Sequence, residues 1–232
     1  MSNASGNGNG QGQGKTLWEM LKERLNKTDT ATPFYNPIDY RVGGSVSLAK
    51  GHPEFQAYDF TIEQALEFTR RIGGKIFKFT DYVLKGTNTK SFNPDDALTC
   101  RLRAMPNEAG ACDVLLLRLH DEFAFDEGFL EVVKDTTGVF DVTDDETGGS
   151  ERFERINAVE DPYEAAVLVI SGTTEDGKAA PGKSKPAKLE YWDYWRDAAI
   201  SEGAATKKRF LFVELNADTG WFQIWIGEEF FL

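Results

Sequence analysis

The sequence has few residues of the kinds that build cross-links, metal sites and nucleophilic centres. Of 232 residues, only two are cysteine and two are histidine. Cys100 and Cys112 lie on the two arms of a predicted hairpin whose register places Cys112 opposite Ala104, which disfavours a disulfide between them. Neither cysteine lies beside a histidine in a catalytic motif, and no His and Cys set has zinc-ligand spacing. We expect two reduced structural thiols, no zinc site and no catalytic residue.

Long apolar runs and an excess of positive charge are also absent. No window contains the roughly 18 apolar residues that span a bilayer, and the N-terminus lacks the basic and apolar segments of a secretion signal. The 26 Lys and Arg residues are outnumbered by 38 Asp and Glu residues, which gives a formal net charge of -12. Such a surface repels phosphate backbones. We expect a cytoplasmic protein with no transmembrane segment and no nucleic-acid partner, while peripheral membrane contact stays open.

Carboxylates cluster between residues 121 and 151, so a calcium site is the chemistry to consider there. A calcium loop that began at Asp141 would place Thr143 at its third position and Glu146 where the sharp turn needs glycine. The spacing therefore indicates a solvated acidic turn. We predict no metal site and no cofactor.

Apolar residues, by contrast, make up 41% of the chain and aromatic residues 12%, which is enough to build a core. The exception is residues 1–14, a Gly-, Asn- and Gln-rich stretch that we predict to be a disordered tail. Residues 15–26 follow with a capping-box pattern and apolar residues on one helical face, and we predict an amphipathic helix. Its apolar face would bind the rest of the chain or a protein partner through Leu17, Trp18, Leu21 and Leu25.

Residues 27–232 are predicted to form one β-rich domain, with a division into two subdomains near 120–136 as an alternative. Predicted strands cover residues 40–48, 54–60, 75–84, 98–105, 111–119, 139–142, 152–156, 165–170, 209–215 and 221–230. Turn residues at 73–74, 106–110 and 216–220 mark three hairpins. Residues 63–72 fit a helix or a strand, residues 122–134 fit a helix, and residues 171–188 a long loop. The fold class is therefore α+β, mainly antiparallel hairpins with a few short helices.

Aromatic residues are concentrated in the last quarter of the chain. In the final predicted strand Trp221, Gln223 and Trp225 share one face, and the opposite face is apolar as well. A central strand that is buried on both faces explains this pattern. The alternative is that Trp221 and Trp225 belong to an aromatic patch that docks a protein partner.

One segment matches the G-x-x-x-x-G-K-[ST] pattern of a phosphate-binding loop, at residues 177–184. In that chemistry Gly182 and its neighbours would cradle phosphates, Lys183 would neutralise them, and Ser184 with Glu214 would hold magnesium. The context is unfavourable, because a phosphate-binding loop directly follows a buried strand and opens a helix, whereas six residues separate this one from the strand that ends at Ile170. A nucleotide- or metal-dependent enzyme is therefore an alternative hypothesis.

Two segments, GGKIFKFTDYVL at 73–84 and FLFVELNADTGWFQIWIGEEF at 210–230, resemble parts of uncharacterised bacterial domains encoded near phage-shock-protein-A membrane-stress genes. The likeness lies in the Asp-Tyr-x-Leu ending of the first and the closing Gly-Glu-Glu of the second. It implies an accessory protein of a bacterial envelope-stress system and no site residues. The leading hypothesis is a non-enzymatic accessory or interaction protein, and a homo-oligomeric structural subunit is a further alternative.

Overall fold

The computed structural model describes eleven parts of the chain: 40–48, 55–72, 75–91, 93, 96–106, 112–143, 149–156, 163–174, 178–183, 185–199 and 206–230. The tail predicted at 1–14, the helix predicted at 15–26 and its four apolar residues lie outside these ranges.

Twelve strands and one helix account for most of the described residues. In chain order they are β1 (Ser45–Val46), β2 (Tyr58–Ile72), β3 (Lys75–Asn88), β4 (Leu98–Pro106), β5 (Cys112–Ala124), α1 (Glu127–Lys134), β6 (Val139–Thr143), β7 (Ser150–Arg155), β8 (Tyr163–Thr173), β9 (Ala179–Pro181), β10 (Ala187–Ala199), β11 (Thr206–Asn216) and β12 (Trp221–Glu229). Every pairing among them is antiparallel. The β-rich antiparallel prediction is confirmed, and the helical share is one short helix in the described chain.

Eight of these strands form a sheet that closes on itself, in the order β2-β3-β4-β5-β12-β11-β10-β8 and back to β2. Closure depends on β10, whose first residues, from Ala187 to Tyr191, pair with β8, while the strand pairs with β11 from Leu189 to Ala199. Further along, Tyr194 and Trp195 pair with β7 instead. β2 to β5 form one half of this closed sheet, and β12, β11, β10 and β8, which follow residues 120–136 in sequence, form the other half. Because successive side chains point to opposite faces, the closed sheet has a separate interior and exterior.

Large apolar and aromatic side chains line the interior. The buried members are Leu66, Phe68, Phe79, Met105, Leu115, Leu117, Ala165, Val167, Leu189, Tyr191, Phe210, Phe212 and Trp225. Trp225 is 1% exposed, and the opposite face of β12 packs on a second buried cluster, which includes Phe222 and Ile224. At Trp225, β12 is therefore buried on both faces, as the prediction of a central strand requires.

Two apolar clusters cover the outside of the sheet. One lies over β2 to β5 and includes Val46 and Leu48 from the segment that contains β1. The other lies over β5, β12, β11 and β10, where α1 contributes Val133 and the β6–β7 hairpin contributes Phe140 and Phe153. No helix among the described residues has both the length and the apolar character needed to cross a membrane.

The predicted helix at 122–134 is wrong in its first part. Residues up to Ala124 continue β5, because they pair with the start of β12. The helix begins at Glu127, where the Asp126 side chain accepts a hydrogen bond from the Phe129 backbone N–H and so caps it. Tertiary pairing therefore decides the conformation of residues 122–124 against the local helical pattern.

The predicted loop at 171–188 is also partly wrong, since β8 extends to Thr173, β9 pairs with its end, and β10 begins at Ala187. Residues 63–72 are resolved as strand, paired with β3 on one side and β8 on the other. A continuous apolar run such as 165–170 predicts a fully buried strand. The run is a strand, but Ile170 is 48% exposed, so the prediction of full burial is wrong at that residue. Pairing with neighbouring strands determines the conformation of these segments, and the local sequence pattern carries no information about those neighbours.

The three predicted hairpins are confirmed by the pairing of β2 with β3, β4 with β5, and β11 with β12. In the last turn Gly220 has φ 70°, a conformation that glycine adopts without strain. The predicted cysteine register is wrong in detail, because Cys112 pairs with Pro106 and Cys100 with Arg118. Both cysteines are free thiols, as predicted.

Candidate functional site

Six charged side chains are buried inside the closed sheet among the aromatic residues. They are Arg70, Asp81, Arg101, Arg103, Asp193 and Glu214, and each is at most 6% exposed. They occupy inward positions because of the two-residue period of their strands: Arg70 follows Phe68 in β2, and Glu214 follows Phe212 in β11. Three guanidinium groups face three carboxyl groups, so the buried set has no net charge when all six are ionised.

Glu214 is the centre of the larger group. Its Oε2 accepts a hydrogen bond from Arg101 Nη1 at 2.6 Å, and its Oε1 accepts one from Arg103 Nη2 at 2.9 Å. Arg103 also donates from Nε and Nη2 to Asp81, at 3.0 and 2.9 Å. Burial alone would raise the pKa of Glu214, but the two guanidinium groups outweigh it and lower the pKa to about 2. Glu214 is therefore ionised at any ordinary pH.

A second pair lies beside this group, where Arg70 Nη1 donates to Asp193 Oδ2 at 2.8 Å. Burial raises the pKa of the Asp193 carboxyl, because the lost hydration outweighs the attraction of Arg70 and Arg103. Two neighbouring carboxyl groups thus have pKa values shifted in opposite directions. The number of charged hydrogen bonds that each carboxylate accepts accounts for the difference.

The guanidinium groups are also stacked on aromatic rings. Arg101 lies 3.7 Å from the centre of the Trp225 ring, and Arg70 lies 3.6 Å from that of Tyr191. Several guanidinium nitrogens, including Arg101 Nε and Arg103 Nη1, have no hydrogen-bond acceptor among the described residues. The aromatic faces take the place of those acceptors, since a ring face attracts a cation that has lost its water.

Above this network the interior is open. A cavity of about 480 Å³ lies at the end of the closed sheet that carries the β11–β12 turn. Its walls are apolar, its floor is formed by the inner polar groups, and its mouth is lined by polar and charged side chains. The lining residues are Gln64, Leu66, Phe68, Arg101, Glu122, Val167, Val169, Lys183, Lys185, Ala187, Leu189, Glu214, Asn216, Thr219, Trp221 and Gln223.

A chain of polar contacts connects the mouth with the buried network. At the mouth Gln223 Nε2 donates a hydrogen bond to the exposed Glu122 carboxylate. The Oε1 atom of Gln223 accepts one from Arg101 Nη2 at 2.8 Å, and Arg101 is bound in turn to Glu214. The arrangement holds the Gln223 amide in one orientation, with its polar atoms beside the cavity.

The structure brings some of the predicted site residues together. Trp221 is 45% exposed and lines the cavity mouth, whereas Trp225 is buried below the cavity. Lys183, assigned to the phosphates in the phosphate-loop hypothesis, and Glu214, assigned there to magnesium, line the same cavity. Ser184 lies outside the described residues, and Gly182 follows a strand, β9, that pairs with the end of β8.

Four polar or charged residues of the cavity lining were not predicted as site residues from the sequence: Gln64, Arg101, Glu122 and Gln223. A signal was available in β4, where Thr-Cys-Arg-Leu-Arg-Ala alternates arginine with apolar residues in the centre of a hairpin rich in leucine. Charged residues at alternate positions normally mark a solvent face. Here both faces are buried, because Leu102 is 0% exposed on one face while Arg101 and Arg103 are 6% and 0% exposed on the other.

Within the described ranges, no three His, Cys, Asp or Glu side chains come together as a metal site. The arrangement can instead enclose a small molecule between apolar walls and oriented amide groups. Comparison of the whole chain with protein-family models, with curated proteins and with solved structures finds no match in any of the three.

Proposed function

We propose that this protein is a non-enzymatic binding protein whose closed sheet holds one small amphipathic molecule at its open end. The observation that carries the proposal is the cavity itself. Closed sheets of eight strands have room for side chains or for one small ligand. A volume of about 480 Å³ falls within the roughly 300–1,000 Å³ of small-molecule sites.

The chemistry of the lining supports an amphipathic ligand. Leu66, Val167 and Val169 form apolar walls, while the Gln64 and Gln223 side chains add amide groups. Small-molecule sites combine mostly apolar walls with a few polar groups that fix orientation. Gln223 is held by its own hydrogen bonds, so its position does not have to be ordered when a ligand binds.

The state of the charged groups supports binding rather than catalysis. A general base works best when its pKa lies near the operating pH. Glu214 has a pKa of about 2, and both of its oxygens already accept hydrogen bonds from arginine. The described cavity lining contains no histidine or cysteine that could act in its place.

A wider role as an accessory protein is part of the same proposal. Trp221 at the cavity mouth and Phe125 nearby are 45% and 51% exposed, and the Phe125 backbone N–H donates to the Gly220 carbonyl in the turn beside Trp221. Exposed aromatic side chains of this kind are common at protein contacts. The protein partner, the bacterial envelope-stress setting and the homo-oligomeric alternative stay predictions.

The nucleotide-dependent alternative has one observation in its favour, since Lys183 and Glu214 line one cavity. Its difficulty is that Arg101 and Arg103 occupy both Glu214 oxygens, so that magnesium would have to displace an arginine. Thermal melting with magnesium-ATP tests it. A stabilisation of about 2.7 kcal/mol at a ligand concentration 100 times Kd, lost in Lys183→Ala, would favour this alternative over ours.

To test binding in the cavity, the neutral fluorescent probe N-phenylnaphthylamine is titrated into the protein. We expect saturable binding with energy transfer from tryptophan, and its loss in Val169→Trp, which fills the cavity. Ile170→Trp is the matched control, because the next residue of β8 is 48% exposed and does not line the cavity. Ala187→Leu is a second, smaller filling variant in case Val169→Trp does not fold.

Equal probe binding by Val169→Trp, Ile170→Trp and the parent protein would refute the proposal, because the probe would then bind elsewhere. No binding by the folded parent protein would refute it as well. Circular dichroism of each variant establishes that a loss of binding is not a loss of fold.

A further inference from the structure

The charge at the cavity mouth is of opposite sign to that of the whole protein. The buried groups below the cavity balance one another, so the net charge of the lining is set at the mouth. There, the described lining residues contribute two lysines, Lys183 and Lys185, and one exposed carboxylate, Glu122. A chain with a formal charge of -12 thus has a locally positive opening.

Backbone contacts hold the lysine-bearing segment at this position. The Lys183 backbone N–H donates to the Val169 carbonyl of β8 at 2.9 Å. The approach is so close that a Cβ atom on Gly182 would lie 2.0 Å from the Val169 carbonyl oxygen and 2.3 Å from that of Ile170. Only glycine permits this contact. Gly182 therefore allows the segment to cross the edge of the cavity and place Lys183 in its lining.

The two lysines are available to a ligand. Both are exposed, and neither forms an ion pair with a carboxylate in the described part of the chain. The carboxylate at the mouth, Glu122, accepts a hydrogen bond from Gln223. Glu122 is thus held against the wall of the cavity, while the lysine ammonium groups keep three donors each.

We propose that the ligand of this cavity is an organic anion. Its apolar body lies against Leu66, Val167 and Val169, and its carboxylate, sulfonate or phosphate group lies at the mouth with Lys183 and Lys185. The inference rests on the proposed binding function and adds to it the charge and orientation of the ligand. The low dielectric of the apolar walls strengthens the attraction between the anion and the lysines relative to bulk water.

Two probes that differ by one anionic group test this inference. Anilinonaphthalene sulfonate carries the sulfonate that N-phenylnaphthylamine lacks, and both have the same aromatic body. We expect the sulfonate probe to bind more tightly, with an affinity that falls as salt is raised, because screening weakens the contact with exposed lysines. The neutral probe should show little dependence on salt.

Replacing the lysines should remove the difference between the probes. We expect the double variant Lys183→Gln, Lys185→Gln to bind the sulfonate probe about 5-fold to 30-fold more weakly, because the fold-changes from losing two exposed charge contacts multiply. Binding of the neutral probe should be unchanged. Lys90→Gln with Lys134→Gln is the matched control, because it changes the net charge equally at two exposed lysines that do not line the cavity.

Glu122→Gln tests the same charge balance in the opposite direction. Removal of Glu122, the one exposed carboxylate among the described lining residues, should tighten binding of the sulfonate probe by about 2-fold to 5-fold. If both probes bind equally and the lysine replacements affect neither, the anion inference is wrong while the binding function stands. If neither probe binds to the folded protein, the proposed function itself is wrong.

Discussion

Glu214→Gln should destabilise the protein far more than an amide-for-carboxylate exchange of equal volume does elsewhere. The glutamine keeps the shape of the side chain, but it leaves Arg101 and Arg103 with one uncompensated charge inside the closed sheet. Glu214 is 2% exposed, so water cannot replace the lost carboxylate. Removing one partner of a buried ion pair costs about 3–5 kcal/mol, because the remaining charge stays buried.

The pKa of Glu214 gives an independent estimate of the same size. Its value of about 2 lies well below the ordinary 4.5, and each pKa unit corresponds to about 1.4 kcal/mol, so the ionised form gains about 3 kcal/mol over the neutral one. Urea unfolding followed by tryptophan fluorescence measures the effect. With a slope near 2–3 kcal/mol per M, we expect the midpoint to fall by roughly 1–2 M.

Asp141→Asn is the matched control for this prediction. Asp141 accepts two charged hydrogen bonds, as Glu214 does, although both come from one arginine, Arg152, at 2.8 and 2.9 Å. Both side chains are exposed, at 45% and 71%, and the loss should be much smaller because water screens the pair. If Glu214→Gln costs no more than Asp141→Asn, the substitution does not leave an unpaired buried guanidinium charge as argued.

A double-mutant cycle separates the charge from other effects of the substitution. Arg101→Met combined with Glu214→Gln returns the interior to neutrality, so the pair should cost less than the sum of the two single changes. We expect a coupling energy of about 1–3 kcal/mol between these side chains. Strict additivity would show that the loss in Glu214→Gln has a cause other than the unpaired guanidinium.

Two further predictions concern acid and the lysine-bearing segment. Because the folded-state pKa of Glu214 is depressed, its contribution to stability is present above pH about 4.5 and is lost as the pH falls toward 2. Urea unfolding at a series of pH values should show this loss, and Glu214→Gln should remove it. Asp193 acts in the opposite sense at higher pH, because its pKa is raised. Gly182→Ala should displace Lys183 and weaken binding of the sulfonate probe, whereas Gly172→Ala, whose added Cβ meets nothing closer than 3.9 Å, should not; equal binding by both variants would count against the position assigned to Lys183.

The strands and hairpins could largely be predicted from the sequence, because local signals determine them. The β11–β12 turn contains Gly220 at a positive φ, and the alternation in β12 separates Trp225 from Ile224 correctly. Closure of the sheet could not be predicted. It depends on the pairing of Ala187–Tyr191 with β8, and no residue in either segment identifies its partner.

The candidate site was hidden by the same non-local contacts. Arg101 and Glu214 are 113 positions apart in sequence, and only the closed sheet brings them together. Each is a charged residue with apolar neighbours on both sides in its strand, and such alternation by itself suggests a solvent face. The cavity mouth could not be predicted for a related reason. Residues 171–188 have the composition of a loop, which predicts that Lys183 and Lys185 are solvated side chains and not part of a site.

The buried ionic network also explains why the cavity is confined to one end of the closed sheet. Hydrophobic side chains of similar volume could replace such a network without loss of stability, so stability alone does not account for it. The ion pairs cross the interior, from Arg101 and Arg103 on β4 to Glu214 on β11 and from Arg70 on β2 to Asp193 on β10, and they fix the floor of the cavity at Arg101 and Glu214. A ligand must then enter beside the β11–β12 turn, where Gln223 connects that floor with the mouth. Gln223 is bound to Arg101, whose positive charge is already balanced by Glu214. The floor of the cavity therefore offers a ligand no unpaired charge, and the lysines at the mouth select the sign of the ligand's charge.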